Sequence, residues 1–99
     1  MEKRIPHCKL SAVKNFVQSN QIRVTKTART GATALGLSYT DMLNVVLNLK
    51  QSDFFKSMTT HVDHKVWQDV YRPTLPGGAR VYLKLTVIDD LLIVSFKER

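Results

Sequence analysis

Apolar residues recur at helical spacing in the first half of this chain and alternate in the second. In LSAVKNFVQSN (residues 10–20), Leu10, Val13, Phe16 and Val17 fall on one side of a helix, and Ser11 is placed to cap it. In TARTGATALG (27–36), Thr27 is the cap candidate and Gly36 the stop. In SYTDMLNVVLNLK (38–50), Ser38 or Thr40 caps and Asp41 lies near the positive helix end. Met42, Val45, Val46 and Leu49 keep the helical period there. Between the first two helices, QIRVTK (21–26) is short and β-branched, which predicts an edge strand open to pairing with a partner.

Beyond Ser52-Asp53 the period changes. DFFKSMTTH, KVWQDVYRP and RVYLKLTV…LLIVSFK are rich in aromatic and β-branched residues, and Pro73 and Pro76-Gly77-Gly78 separate them. Helices first and strands second predict an α+β fold, with the helices packed on one face of an antiparallel sheet. The 99 residues suffice for one domain spanning 1–99.

The last two strands predict a hairpin around Asp89-Asp90. Val81, Leu83, Leu85 and Val87, with Leu92, Val94 and Phe96, form its inward set. A two- or four-residue loop then sets Tyr82 opposite Lys97, Lys84 opposite Ser95 and Thr86 opposite Ile93. A three-residue loop would slip the register by one and part Tyr82 from Lys97, which the inward set argues against. So a phenol and an ammonium are expected side by side on the uncovered face. Exposed polar residues are ordinary on such a face. In KVWQDVYRP the alternation is imperfect: Gln68 and Arg72 share a side with Val66 and Val70, while Trp67, Asp69 and Tyr71 share the other. The pattern does not say which side is buried. Lys56 shares its side with Phe54, Met58 and Thr60.

Charge changes the picture. The net charge is +7 and the isoelectric point about 9.9, which favours a polyanionic partner, nucleic acid above all. Residues 1–40 hold seven Lys/Arg against Glu2, and residues 41–99 hold eight against seven acids, so the first part is the expected electrostatic handle. The lone Cys8 cannot form an internal disulfide and suits a reducing cytoplasm. No apolar run is long enough to span a membrane, and MEKRIPHCKL lacks the apolar stretch of a secretory signal. His61 and His64 point to opposite faces if they sit on a strand, and no third ligand is nearby, so a metal site is not expected. ARTGATALGLSYTDMLNVV has helix-turn-helix spacing, but its second helix has no Arg, Lys or Gln before Lys50 and carries Asp41. It reads better as a helical hairpin packed on the sheet.

MEKR-x-PH, SDFFKSMTT, the 63–64 DH pair, WQDVYRP, VYLK and LLIVSFKE occur here in that order. On these motifs the chain resembles the motility quorum-sensing regulator (MqsR) toxins of bacterial toxin–antitoxin pairs, over nearly its whole length. The resemblance implies a RelE-like fold and a sequence-selective, metal-independent mRNA endoribonuclease cutting at GC-containing, GCU-like sites. It implies no cofactor. It implies a cognate MqsA-like antitoxin, with operator DNA bound only by the toxin–antitoxin complex. Carried over position by position, it points to Lys56, Gln68, Tyr82 and Lys97 as catalytic, and to Met58, Arg72 and Lys84 as RNA contacts. Such an enzyme uses the 2′-OH of RNA as its nucleophile, so it needs aligned groups, proton transfer and charge neutralisation but no metal. Lys56 and Lys97 would stabilise charge, Tyr82 would act as acid or base and Gln68 would orient substrate. One of the crowded amines would be partly neutral. A non-catalytic RNA-binding module and a DNA-binding regulator are the alternatives.

Overall fold

The computed structural model describes residues 1–99. Its elements are β1 (Glu2–Lys3), α1 (Leu10–Gln18), β2 (Ile22–Val24), α2 (Lys26–Ala34), α3 (Tyr39–Leu47), a 3-10 turn (Gln51–Asp53), β3 (Phe54–Thr59), β4 (Trp67–Tyr71), β5 (Val81–Ile88) and β6 (Asp90–Glu98). The six strands form one sheet in the order β1-β3-β4-β5-β6-β2. Every pairing is antiparallel except β2 with β6. The fold is α+β with three helices against this sheet, as expected. QIRVTK supplies the edge strand β2, and the N-terminal segment supplies the opposite edge strand, β1.

The helices start and stop for identifiable reasons. Ser38 and Asp41 form a reciprocal capping box at α3, the two bonds being 3.1 and 2.9 Å. At α2 the cap is Thr25 rather than Thr27; its hydroxyl accepts from the Ala28 N–H at 3.0 Å and donates to the Val94 carbonyl at 2.8 Å. That second bond ties the helix start to β6, which spacing within the helix could not reveal. α1 begins at Leu10 with no side-chain cap, so Ser11 lies inside the helix instead of before it. Gly36, at φ 74°, follows α2 in a Schellman turn: its N–H bonds to the Thr33 carbonyl and the Leu37 N–H to that of Ala32.

Leu10, Val13 and Val17 of α1, Ala28 and Ala32 of α2 and Met42 and Val46 of α3 meet Tyr71, Val81, Leu83, Leu85, Leu91, Ile93 and Phe96 of the sheet in one core. α2 comes closest. A β-carbon on Gly31 would fall 1.8 Å from the Phe96 carbonyl oxygen and 3.4 Å from the Lys97 Cα, so only glycine lets the helix rest on β6 there.

The final hairpin departs from the expected turn. The chain reverses over Ile88–Asp90 with Asp89 at φ 67°, and Thr86 lies opposite Leu92, not Ile93. The register then shifts at Lys84/Leu85, where Val94 is the extra residue of a bulge. Beyond the bulge Lys84 pairs with Ser95, Leu83 with Phe96 and Tyr82 with Lys97, as predicted. The turn slips the register and the bulge restores it. Consequently the inward residues near the turn are Leu91 and Ile93, not Leu92 and Val94.

A cationic face on the open side of the sheet

The helices cover one side of the sheet; the candidate site lies on the other. The register arranges its side chains in rows across the strands. Glu2 of β1 lies beside Met58, and Met58 beside Gln68. In the next row Lys56, Val70, Lys84 and Ser95 lie abreast. One step on, the pairing of Tyr71 with Leu83 brings Arg72 abreast of Tyr82, and Tyr82 is paired with Lys97. All seven residues expected at the site (Lys56, Met58, Gln68, Arg72, Tyr82, Lys84 and Lys97) therefore share one face. The undecided strand β4 is settled by its partners. Trp67, Asp69 and Tyr71 point to the covered side, the first two under the segment before α1 and Tyr71 in the core, while Gln68, Val70 and Arg72 face the site.

That assignment sets an acid on the covered side and a valine on the open one. Asp69 is buried, and its carboxylate accepts the His7 and Cys8 N–H groups at 3.0 Å each. It ties the segment before α1 to β4. Val70 is fully buried although no helix covers it. Lys56 and Lys84 flank it in the register, so their aliphatic stems close over an apolar floor.

This floor affects the amines. Burial pulls the Lys84 ammonium below the ordinary lysine range, and the charges of Lys97 and then Lys56 pull it further. Lys97 Nζ lies 5.3 Å and Lys84 Nζ 5.9 Å from the centroid of the Tyr82 ring, so one phenol is set between two amines. Lys56 instead has a counter-ion. Its Nζ donates to the Glu2 carboxylate at 2.5 Å, and this bond, followed by the charge of Lys56, lowers the Glu2 pKa. Arg72 lies over the Phe55 ring, its guanidinium carbon 4.4 Å from the centroid, with Nε buried and without a partner.

The cations of the open-face rows come from the second half of the chain, and of those in the first half Arg4 comes nearest, its guanidinium carbon 5.6 Å from the centroid of the same Phe55 ring. Lys14, Lys26 and Arg29 sit on helices and Arg23 pairs with Asp90 at 2.8 Å. His61 and His64 lie in the exposed loop between β3 and β4, and no three His, Cys, Asp or Glu side chains are grouped to hold a metal. Burial, then Asp69, raises the pKa of the Cys8 thiol, consistent with a packing role. Sequence reasoning missed Glu2, Phe55 and Val70. Glu2 required knowing that the first residues pair with β3. Phe55 sits at a bulge between Phe54 and Lys56 that alternation does not announce.

The family described as "Motility quorum-sensing regulator, toxin of MqsA" matches residues 5–98. The chain is also 58% identical over 99 residues to the mRNA interferase toxin MqsR of Escherichia coli (strain K12), covering 100% of both chains.

Proposed function

The chain belongs to the MqsR toxin family, and from that premise we propose that its open sheet face cuts mRNA by activating the 2′-OH beside the scissile phosphate. The coarse activity, an endoribonuclease toxin of the mRNA interferase kind, follows from the family and from the full-length relative. The observation that supports the chemistry is the convergence of Lys56, Lys84, Lys97 and Tyr82 on two adjacent rows of one face.

In this reading Lys84 takes the proton from the 2′-OH, because it stands in the middle of the face beside Tyr82, where burial and the charges of Lys97 and Lys56 disfavour its ammonium. The 2′-oxygen bonds to phosphorus as the bond from phosphorus to the 5′-oxygen breaks. Tyr82 donates its proton to the departing 5′-oxygen. The phenolate left behind lies beside Lys97 and the newly protonated Lys84, so the transferred charges end as neighbours. Lys56 and Lys97 neutralise the phosphorane oxygens, and Lys56 exchanges its Glu2 partner for phosphate. Gln68, with both a donor and an acceptor, orients the substrate, while Met58 and Arg72 line its path. The products are a 2′,3′-cyclic phosphate and a 5′-hydroxyl.

The same family membership supports a cytoplasmic toxin, a preference for GC-containing, GCU-like sites and neutralisation by an MqsA-like antitoxin, with operator DNA engaged only by the complex. The edge strand β2 offers free backbone groups to a partner's strand. No helix is long and apolar enough to cross a membrane.

End analysis of a defined RNA incubated with the protein and a chelator tests the chemistry. Cyclic phosphate and 5′-hydroxyl ends are expected, with no cleavage where the cut nucleotide is 2′-deoxy. Products bearing 5′-phosphate, or cleavage of the deoxy substrate, exclude the 2′-OH as nucleophile. Binding without any cut returns the protein to the non-catalytic alternative.

A further inference from the structure

The open face does not end at Tyr82 and Lys97. One more step along the hairpin, Arg80 and Arg99 are opposed, the Arg99 N–H bonding to the Arg80 carbonyl at 2.9 Å. Both lie on the side of their strands that carries Tyr82 and Lys97, because side chains two apart share a face. Arg72, abreast of Tyr82, borders the same corner from β4. None of these three guanidiniums has a carboxylate partner; the ion pairs of this protein are Arg23–Asp90 and Lys56–Glu2. Glu98 falls on the other side of β6, opposite Val81.

We infer that Arg72, Arg80 and Arg99 form a second anion site, which holds a phosphodiester of the substrate RNA flanking the one that is cut. This rests on the reading of the face as an RNA-cleaving surface and extends it. Three observations carry it. Guanidiniums gathered with no carboxylate side chain among them favour the approach of an anion. Arg72 is held against the Phe55 ring with its Nε buried, and the terminal nitrogens of its guanidinium, which no protein acceptor takes, are left for a phosphate. And the cluster lies on the line of the catalytic residues: Arg80 is two residues from Tyr82 and four from Lys84, roughly 7 and 14 Å along an extended strand. The three arginines are also coupled electrically, since after desolvation the charges of Arg72 and Arg80 are what lower the pKa of Arg99.

The site would fix the direction in which the strand crosses the sheet. Phosphate contacts of this sort set register and carry no base information, so they would position the cut and leave base choice to the rows around Gln68 and Met58.

The test measures binding apart from cleavage. A labelled 2′-O-methyl RNA, which lacks the nucleophile, is titrated by anisotropy at several salt concentrations. Arg72→Ala and Arg80→Ala are each expected to weaken binding about tenfold and to lower the log–log salt slope by about 0.7, as for one lost phosphate contact on a single strand. Lys26→Ala, an exposed cation on α2, should change neither. A neutral methylphosphonate is then walked along the RNA. At one position the wild-type protein should lose affinity and Arg80→Ala should lose nothing further. If the losses add at every position, or if Arg72→Ala and Arg80→Ala bind as the wild type does, the second site is overturned. If this pattern appears but the wild type cuts no RNA, the anion site stands and the nuclease reading falls. If the wild type binds no RNA, both fall.

Discussion

On the helix-covered side of β5, Val81, Leu83 and Leu85 are wholly excluded from solvent, while on the other side of the same strand Tyr82 and Lys84 are only half-buried. The contrast extends to the two tyrosines. Tyr71 faces the helices with its hydroxyl buried and unpartnered, and its ring meets Phe54 edge-on at 5.5 Å. Tyr82 faces the site between two amines. Burial and then Asp69 push the Tyr71 phenol far above its ordinary range. Residues one peptide apart thus serve different ends. One side of the sheet supplies stability, and the other holds crowded charges, which the proposed reading assigns to a phosphodiester. Work on either side should leave the other intact, except where something crosses the sheet.

The largest expected effect is on the open side. Tyr82→Phe should slow cleavage by about 10²–10⁴-fold, the usual worth of a positioned proton donor, and leave the unfolding midpoint almost unmoved. Single-turnover kinetics beside a thermal melt would show it; a normal rate sinks the role given to the phenol. Leu83→Ala, its neighbour in the chain, should do the reverse. Loss of a fully buried leucine costs about 2–5 kcal/mol in denaturant titration, with cleavage per folded molecule unchanged.

Gly31→Ala should blur the distinction. The added methyl collides with the backbone of β6 at Phe96 and Lys97, so about 1–3 kcal/mol of overpacking would be accompanied by a loss of rate as Lys97 shifts. A destabilised variant with full activity would mean that α2 does not position that lysine.

The pH profile sharpens the same point. If Lys84 must be neutral to accept a proton, the rate climbs about tenfold per pH unit and levels off below the ordinary lysine range. Lys84→Arg should remove that rise. The effect on stability has a definite sign. The folded pKa of Lys84 lies below its unfolded value, so between the two the unfolded chain binds more protons and stability increases with pH. A rate that does not change across this window removes Lys84 from proton transfer. The smallest change is on the covered side: Tyr71→Phe deletes a buried hydroxyl with no partner, and should raise stability by about 1 kcal/mol at unchanged rate. A loss of stability there would mean that the hydroxyl has a hydrogen-bond partner in solution.

Much of this was legible before any coordinates. The positions of the helices, the pairing of the last two strands, the α+β class and the contact of Tyr82 with Lys97 all follow from period and spacing. The argument for that contact was only partly sound, because the turn does slip the register and the Val94 bulge takes the slip back. β4 was illegible for a definite reason. Asp69 is buried because it holds two backbone N–H groups of the N-terminal segment, and Val70 faces outward because two lysine stems cover it. Each inverts the usual rule that polar residues face solvent and apolar ones the core.

Local order therefore determined the elements and the rungs of the last hairpin away from its turn, since side-chain alternation is a property of neighbouring residues. The pairing of β1 with β3, the choice of face in β4, the ion pair of Lys56 with Glu2 and the gathering of Arg72, Arg80 and Arg99 were decided only by tertiary structure. Those contacts join segments far apart in the chain, and their energy depends on which strands are adjacent, a quantity no local window contains.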